Sequence, residues 1–207
     1  MRSKKTRQLI YFAFFSTIMV VLSTTPLGFV PIGLLRATTL HLPVILSGIL
    51  FGKRFGAGIG FVFGLLSLAI NTFQPTLTSF VFSPFISIGG YSGNLASLIV
   101  VFVPRIFLGF ISGYLWSFLS AKTNKKVFPL AVLSFGATLL HSALVLAFIA
   151  IFFGSAYSEV KGFGIHDLLP FLGGIIATNS LAEAFLASAV IPLLYKALYP
   201  ILERSSI

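Results

Sequence analysis

Charged residues are scarce in this chain. Only 9% of its 207 residues are charged, and no more than four are acidic, whereas a soluble domain carries roughly 25% charged residues. So few charges could not cover a water-facing surface of this size. Hydrophobic residues make up 57% of the sequence, and the mean hydropathy is +1.05. The sequence therefore predicts a membrane protein, with the lipid bilayer as solvent for most of its length.

Cysteine is absent, and histidine is rare. The lack of cysteine excludes disulfides, zinc–thiolate sites and cysteine nucleophiles. The three histidines, His41, His141 and His166, are scattered, and no His-Glu-x-x-His motif is present. We expect neither a metal ion nor a cofactor. An intramembrane enzyme, the main rival class of function, would need clustered catalytic groups, and it is kept only as a remote alternative.

Long apolar runs fill the chain. A membrane-spanning helix needs about 20 mostly apolar residues, and these runs lack the alternation of a barrel strand. About six helices fit, and no room remains for a soluble catalytic domain. Residues 1–207 are thus predicted to form a single transmembrane domain, an all-α bundle of six helices. The predicted helices are Leu9–Ser23, Ala37–Phe51, Phe55–Ile70, Leu95–Leu119, Phe128–Phe153 and Leu168–Leu198.

Basic residues are distributed unevenly along the chain. With the N-terminus inside the cell, eleven of the fourteen Lys and Arg residues fall on the cytoplasmic side. The outer loops then hold only Arg36 and Lys161, and Arg105 lies within a span. This positive-inside pattern predicts six spans with both termini in the cytoplasm. It attributes the net charge of +10 to topology and anionic lipid rather than to nucleic acid.

Two long outer loops are rich in proline and phenylalanine. They are the segments 24–36 and 71–94, between the first and second and between the third and fourth predicted helices. A lid over a cavity would need such stiffened segments with apolar side chains to pack inward. Solvated loops without function are the alternative interpretation. We expect a lid, with part of Ser79–Ile88 re-entering the membrane.

Glycines recur at intervals of four in the third and fourth predicted helices. Gly56, Gly60 and Gly64 form one such series, and Gly109 and Gly113 form another. Small residues at this spacing let two membrane helices approach closely. A dinucleotide-binding interpretation would require a preceding strand, which the sequence lacks. The pattern therefore predicts helix packing.

Polar side chains are predicted deep within the spans. Arg105 lies ten residues from the outer end of its helix, or about 15 Å at 1.5 Å per residue, and His141 and Asn179 come at similar depth. Glu183 follows Asn179 by one turn on the same face. Such residues usually face the bundle interior. Two interpretations of Arg105 stay open: a structural ion pair with Glu183, or an anchor for an anionic solute with Glu183 supporting the guanidinium. A structural role for His141 stays open beside a ligand contact.

Two segments carry a resemblance to a known family. The first segment comprises Pro26–Gly33 and Ala37–Ile45, and the second comprises Asn71–Thr76 and Thr78–Pro84. Both resemble the pantothenate-type S components of energy-coupling-factor (ECF) vitamin transporters. Length, six spans and the basic head match this family across essentially the whole chain. The resemblance implies a substrate-capture subunit of an ATP-driven importer in the prokaryotic cytoplasmic membrane.

The resemblance also implies partner proteins. They are a transmembrane coupling subunit of the EcfT type and two cytoplasmic ATPases of the EcfA type. The run Gly48–Arg54 lacks the Ser or Thr that follows the lysine of a phosphate-binding loop, so we expect ATP hydrolysis only in those partners. In the family, an Ala-x-x-x-Ala pattern on helix 1 packs on the coupling subunit. Here Ala13 and Thr17 occupy the two positions.

The polar residues suit a water-soluble vitamin. Pantothenate has a carboxylate, an amide and two hydroxyls, which a guanidinium and amide or hydroxyl side chains would bind. Another vitamin or precursor, such as hydroxymethylpyrimidine, riboflavin or folate, is the alternative substrate. The predicted substrate ligands are Arg105, Asn179, Asn71, Gln74, Thr39 and His141, with Glu183 in support.

Overall fold

The computed structural model describes residues 4–32, 35–122 and 126–204, most of which are helical. Residues 123–125 of the predicted inner loop, with Lys125, lie outside the described residues. The α-helices of the described ranges are α1 (Lys4–Thr24), α2 (His41–Phe51), α3 (Lys53–Phe73), α4 (Leu95–Lys122), α5 (Val127–Lys161), α6 (Leu168–Ile175) and α7 (Leu181–Arg204).

Five helical segments of the described chain are long and apolar enough to cross a membrane. They are Lys5–Thr24, Lys53–Phe73, Leu95–Lys122, Val127–Lys161 and Ile165–Leu202. The remaining helix, α2, has only 11 residues, or about 16 Å at 1.5 Å per residue, against a hydrocarbon core of about 30 Å. The helical membrane fold is therefore present, while the number of six spans and their orientation remain predictions.

The first outer segment, which extends to Leu40 in the structure, forms a β-hairpin. Strands β1 (Phe29–Ile32) and β2 (Leu35–Thr38) pair antiparallel, with Phe29 opposite Thr38. The helix predicted from Ala37 therefore begins at His41 instead, because residues 35–38 pair with β1. Pro43 is accommodated in the first turn of α2, where its missing N–H costs nothing. The hairpin connects directly to a helix whose residues 41–49 are all buried.

Five helices of the described chain, α1, α3, α4, α5 and α7, extend beyond their predicted ends. Helix α3 continues to Phe73, with Gln74 as its C-cap residue. It stops there because Gln74 precedes Pro75, and a residue before a proline is disfavoured in helical conformation. Helix α5 continues past Gly154 to Lys161 and is capped by Gly162 in the left-handed region, with φ +80°. Helix α4 ends at Lys122. Asn71 and Glu159 therefore lie on helices, not in loops as predicted.

The second outer segment folds down onto the bundle. A 3-10 turn, Ser79–Val81, is followed by the short hairpin of β3 (Ser87–Ile88) and β4 (Tyr91–Ser92). Phe80 and Val81 are fully buried. The Ser97 hydroxyl, on α4, donates a hydrogen bond of 2.8 Å to the Phe80 carbonyl. The hydroxyl of Tyr91 donates to the Glu159 carboxylate on α5. The 3-10 turn of this segment is therefore packed inside the protein, and the segment is tied to α4 and α5, while Leu77 and Phe85 remain exposed.

A glycine seam joins α2, α3 and α4. A Cβ on Gly60 would lie 2.1 Å from the Arg105 carbonyl oxygen, and one on Gly109 would lie 1.9 Å from the Gly56 oxygen. A Cβ on Gly48 would lie 2.5 Å from the Gly109 oxygen. The backbones approach so closely that no side chain fits between them, as the glycine spacing predicted.

The last helical segment is interrupted by a wide turn. Residues Ile176–Ser180 form a π-helical turn between α6 and α7, where the sequence predicted one regular helix. A π turn inserts an extra residue and changes the direction of the following side chains, and it occurs often at functional sites. Asn179 lies in this turn, and Glu183 lies in the first turn of α7.

Candidate functional site

A cavity of about 360 Å³ lies inside the helical bundle. Helices α3, α4, α5, α6 and α7, the π turn and the two outer segments all contribute to its wall. Its lining residues are Thr38, Leu40, Phe63, Ser67, Ile70, Asn71, Phe82, Arg105, His141, Ser142, Val145, Leu146, Ile175, Asn179, Ser180 and Glu183. Its size falls in the range of about 300–1,000 Å³ found for small-molecule sites.

Arg105 is held by its own helix. An α-helix donates each N–H to the carbonyl four residues earlier, but Pro104 has no N–H to give to Val100. The Arg105 guanidinium takes that place, since its Nη1 donates to the Val100 carbonyl at 2.6 Å. Arg105 is 7% exposed. The Pro-Arg sequence thus leaves a carbonyl free and supplies the cation that satisfies it.

Two aromatic rings flank the same guanidinium. The Cζ atom of Arg105 lies 5.5 Å from the ring centroid of Phe63 and 5.5 Å from that of Phe82. Phe63 comes from α3, and Phe82 comes from the second outer segment. A guanidinium within about 6 Å of a ring is attracted to its face. The aromatic contacts and the bond to Val100 hold the cation at the cavity wall.

Three cavity residues carry a buried polar atom that has no partner among the residues the structure describes. They are Arg105 Nε, His141 Nε2 and Asn179 Oδ1. Unsatisfied buried polar atoms cost free energy and are uncommon in folded proteins. Here they come from α4, α5 and the π turn, and all three residues line one cavity. This arrangement matches a site in which a ligand completes the hydrogen bonds.

Asn71 connects the cavity wall to the second outer segment. Its Nδ2 donates to the Ser67 carbonyl at 2.8 Å, and its Oδ1 accepts from the Ser79 hydroxyl at 2.9 Å. The Ser79 hydroxyl oxygen also accepts from the backbone N–H of Thr76 at 2.8 Å. Asn71 therefore positions this segment over the cavity, in addition to lining the wall.

Glu183 holds the first outer segment rather than the guanidinium. Its Oε1 accepts a hydrogen bond of 2.8 Å from the backbone N–H of Thr38, at the end of β2. Among the described residues, no ion pair joins Glu183 to Arg105, whose guanidinium binds the Val100 carbonyl instead. The predicted ion pair is therefore absent. The physical reason is that each group has found a partner in the backbone.

Two predicted substrate ligands do not line this cavity. The side chain of Gln74 is exposed beyond the end of α3. The Thr39 hydroxyl donates to the Leu27 carbonyl at 2.8 Å, within the first outer segment. Their assignment as substrate ligands gains no support from the geometry. The other four, Arg105, Asn179, Asn71 and His141, line the cavity together with Glu183.

Several lining residues were not among the predicted ligands. Phe63 and Ser67 precede Asn71 by eight and four residues on α3, so helical periodicity alone could have placed them on its face. Ser142 follows His141 directly. By contrast, no local pattern indicated that Phe82 would reach Arg105 or that Ser180 would turn toward the cavity, since both depend on tertiary folding.

The sequence also matches known proteins. The profile of the family described as "ECF transporter, substrate-specific component" matches residues 7–195. A pantothenic acid transporter from Lactococcus lactis subsp. cremoris is 36% identical over 167 residues, covering 78% of this chain and 79% of the relative. A pantothenate transporter from Leuconostoc mesenteroides subsp. mesenteroides is 29% identical over 219 residues, covering 100% and 99%.

A solved structure shares the fold. The biotin S component of an ECF-type ABC transporter superposes with a TM-score of 0.57 at 17% sequence identity, and the match covers 95% of each chain. At this identity the likeness concerns the fold alone. Proteins of this family are multi-pass transporter components of the cytoplasmic membrane and not enzymes. Because the family profile extends over nearly the whole sequence, this chain belongs to the substrate-specific components of ECF transporters.

Proposed function

We propose that this chain captures pantothenate at the outer face of the membrane for import. The observation that carries the proposal is the set of three unpaired, buried polar atoms converging on one cavity, on Arg105, His141 and Asn179. The two relatives named above as pantothenate transporters support the choice of vitamin. Another vitamin or precursor remains the competing substrate, and the binding experiment below distinguishes them.

The cavity chemistry suits this solute. The carboxylate of pantothenate would accept from the guanidinium of Arg105, a charge-assisted hydrogen bond that is stronger than a neutral one. The amide and hydroxyls would bind Asn179, Asn71 and His141. Apolar neighbours such as Val145 and Ile175 fit the methyl groups. A few polar groups placed in a mainly apolar wall are typical of a small-molecule site.

The two outer segments act as a lid in this proposal. The hydrogen bond from Thr38 to Glu183 fastens the first segment to α7. The bond from Ser79 to Asn71 and the bond from Ser97 to the Phe80 carbonyl fasten the second segment, through its 3-10 turn, to α3 and α4. The first segment is held to α7 by one hydrogen bond, whereas the second segment also buries Phe80 and Val81. Local release while the bundle stays folded is therefore expected first at the hairpin.

Transport requires partners in this proposal. The chain would dock on a transmembrane coupling subunit of the EcfT type, and two cytoplasmic ATPases of the EcfA type would supply the energy. The solute would be released inward when the whole bundle reorients. Ala13 and Thr17 are exposed on α1, and Thr17 folds its hydroxyl back onto the Ala13 carbonyl at 2.9 Å. That small, self-satisfied surface fits close contact with another helix.

The test is calorimetric binding to the purified, full-length chain in detergent. Pantothenate should bind, and pantothenol, in which a hydroxyl replaces the carboxylate, should bind far more weakly. Arg105→Ala should reduce pantothenate affinity about ten- to hundredfold, because a hydrogen bond to a charged group is worth about 1.5–3 kcal/mol. The same substitution should change pantothenol binding little.

A matched control separates binding from folding. Arg54, exposed on α3 and outside the cavity, is replaced by alanine in parallel. Both variants should elute as monodisperse proteins with similar melting temperatures. Full pantothenate affinity in a folded Arg105→Ala protein would remove Arg105 from the site. Preference for biotin, riboflavin or hydroxymethylpyrimidine over pantothenate would overturn the choice of vitamin while leaving the family assignment intact.

A further inference from the structure

A second cavity lies at the other end of the bundle. It has a volume of about 280 Å³ and lies between the beginning of α5 and the last turns of α7. None of its lining residues belongs to the solute cavity, which lies far along α5, at His141 and beyond. The proposed mechanism assigns it no role.

Positive charge is concentrated in this second cavity. Lys126 and Lys196 both line it, and none of the other lining residues that the structure describes is acidic. Lys126 is the N-cap residue of α5, and its side chain makes no capping bond. The first N–H groups of a helix lack partners within the helix and give its N-terminus a partial positive charge. An anion here would meet two ammonium groups and the positive end of a 35-residue helix.

Two tyrosines form the aromatic side of the cavity. The Lys126 ammonium lies 4.6 Å from the ring centroid of Tyr199 and 6.0 Å from that of Tyr195. The two rings stack on each other at 4.9 Å. This contact holds the lysine against the protein, although the rings do not neutralise its charge. Its N–H donors remain available to a further acceptor.

The remaining described residues of the wall are apolar. Val127, Leu130, Pro192 and Pro200 line the cavity beside the charged groups. Val127 is 60% exposed, and Leu130 is buried. A soluble anion such as free phosphate would gain nothing from these side chains. A molecule that has a phosphate at one end and a hydrocarbon chain at the other would satisfy both halves of the wall.

We propose that this cavity binds the headgroup of an anionic phospholipid of the inner leaflet. The inward orientation of this end rests on the proposed topology, in which the basic inner segments face the cytoplasm. Lysines near an anionic leaflet are attracted by its negative surface potential. The cavity adds a defined position to that general attraction, because it places two cations beside an apolar wall that an acyl chain can contact.

The test is native mass spectrometry of the full-length chain with added phosphatidylglycerol. The unmodified protein should retain this lipid at higher activation energy than phosphatidylcholine of the same chain length. The double variant Lys126→Gln/Lys196→Gln should retain at least fivefold less phosphatidylglycerol. The variant Val127→Trp keeps both lysines but fills the apolar side of the cavity, and it should lose retention of phosphatidylglycerol similarly.

The control is the double variant Arg54→Gln/Lys122→Gln. It removes the same charge from exposed positions at the same end of the bundle but outside the cavity, so its lipid retention should stay unchanged. Equal loss in this control would show general surface attraction and overturn the proposal. Displacement of the lipid by inorganic phosphate would assign the cavity to a free anion instead. Pantothenate binding, measured separately, should be the same in all these variants, so the two proposals can fail independently.

Discussion

At the scale of single residues, the site depends on a local exchange of hydrogen-bond partners. Pro104 leaves the Val100 carbonyl without its helical donor, and Arg105 donates to that carbonyl at 2.6 Å. The guanidinium is thereby fixed at the wall with its Nε atom still unpaired. The adjacency of Pro104 and Arg105 in the sequence therefore determines where the guanidinium presents its remaining N–H donors.

Restoring the helical hydrogen bond should disturb this arrangement. In Pro104→Ala, the new backbone N–H would compete with Arg105 for the Val100 carbonyl. We expect pantothenate affinity to fall about three- to tenfold, since a typical hydrogen bond contributes about 0.5–1.5 kcal/mol. The measurement is calorimetric titration of the purified variant, with pantothenol as the comparison ligand.

A double-mutant cycle identifies the cause of that loss. If Pro104 acts by positioning Arg105, the substitution Pro104→Ala should have no further effect in an Arg105→Ala background. A loss of equal size in both backgrounds would mean that the proline acts on the bundle as a whole. Pantothenol, which lacks the carboxylate, should bind with little change if Pro104 acts through Arg105 and more weakly if the proline acts on the whole bundle.

The sequence identified the deep polar residues but not their partners. Arg105, Asn179 and His141 stand out because a polar group within an apolar helix is costly, and all three do line the cavity. Their depth followed from counting residues along each helix.

The hydrogen-bond partners of Arg105 and Glu183 were not predicted. The partner of Arg105 has a signal in the sequence, because Pro104 leaves the Val100 carbonyl free. The Thr38 N–H that binds Glu183 has none, because it becomes available only through tertiary folding.

At the scale of elements, the glycine seam fixes the frame on which the site is built. Gly60 contacts the carbonyl of Arg105, and Gly56 and Gly109 contact each other's backbone. Helices α3 and α4 are thus held at a distance that only glycine permits. Because Phe63 and Asn71 lie on α3 and Arg105 lies on α4, this distance also sets the width of the cavity on that side.

Adding one methyl group to the seam should destabilise the protein. In Gly109→Ala, the Cβ would lie 1.9 Å from the Gly56 carbonyl oxygen, and backbone atoms cannot move aside cheaply. We expect a loss of about 1–3 kcal/mol or more, as in other overpacked interiors. Thermal unfolding in detergent, followed by fluorescence, should show a melting temperature lower by several degrees.

The matched control is Gly136→Ala on α5. A Cβ there would meet no atom within 4 Å, so the substitution should leave the melting temperature unchanged or raise it slightly. If both variants have the same melting temperature, close backbone contact at the glycine seam does not determine the stability of the protein.

Helix types were easier to predict than helix ends. Apolar runs are sufficient to predict α1, α3, α4 and α5, since each is long enough to span a bilayer. The predicted beginning of α2 was wrong, because it depends on the pairing of β2 with β1. The predicted end of α5 was wrong, because it depends on which glycine adopts positive φ. The π turn at Ile176–Ser180 had no signal in the apolar pattern.

At the scale of the whole molecule, the proposed orientation can be tested by chemical labelling. The lack of cysteine means that each introduced thiol is unique. Ser92→Cys lies in the second outer segment and Ala121→Cys at the far end of α4, and both positions are exposed. In intact cells, an impermeant maleimide should label Ser92→Cys only. Both should react after the cells are opened, and strong labelling of Ala121→Cys in intact cells would reverse the topology.

The exposed face of α1 makes a separate prediction about the whole molecule. Phe15 and Met19 are buried against the bundle, whereas Ala13 and Thr17 are exposed. Ala13→Trp or Thr17→Trp would place a bulky ring where the coupling subunit is proposed to approach. Pantothenate binding to the isolated chain should survive. Uptake in cells that supply the coupling subunit and both ATPases should fail.

Two results would change that interpretation. Normal uptake with both tryptophan variants would mean that the docking face lies elsewhere on the bundle. Loss of binding in the isolated chain would assign α1 to the cavity or its support. A control substitution at Val132, exposed on α5, introduces the same ring on a different helix and should leave uptake intact.

The bond between Arg105 and Val100 also bears on how the protein is made. Both residues belong to α4, only five positions apart, so the contact can form as soon as that segment becomes helical. A guanidinium that leaves water during membrane insertion would otherwise have to wait for a neighbouring helix to arrive. Here one of its donors is already satisfied within the nascent segment. The residue that later faces the solute can therefore enter the bilayer before its binding site exists.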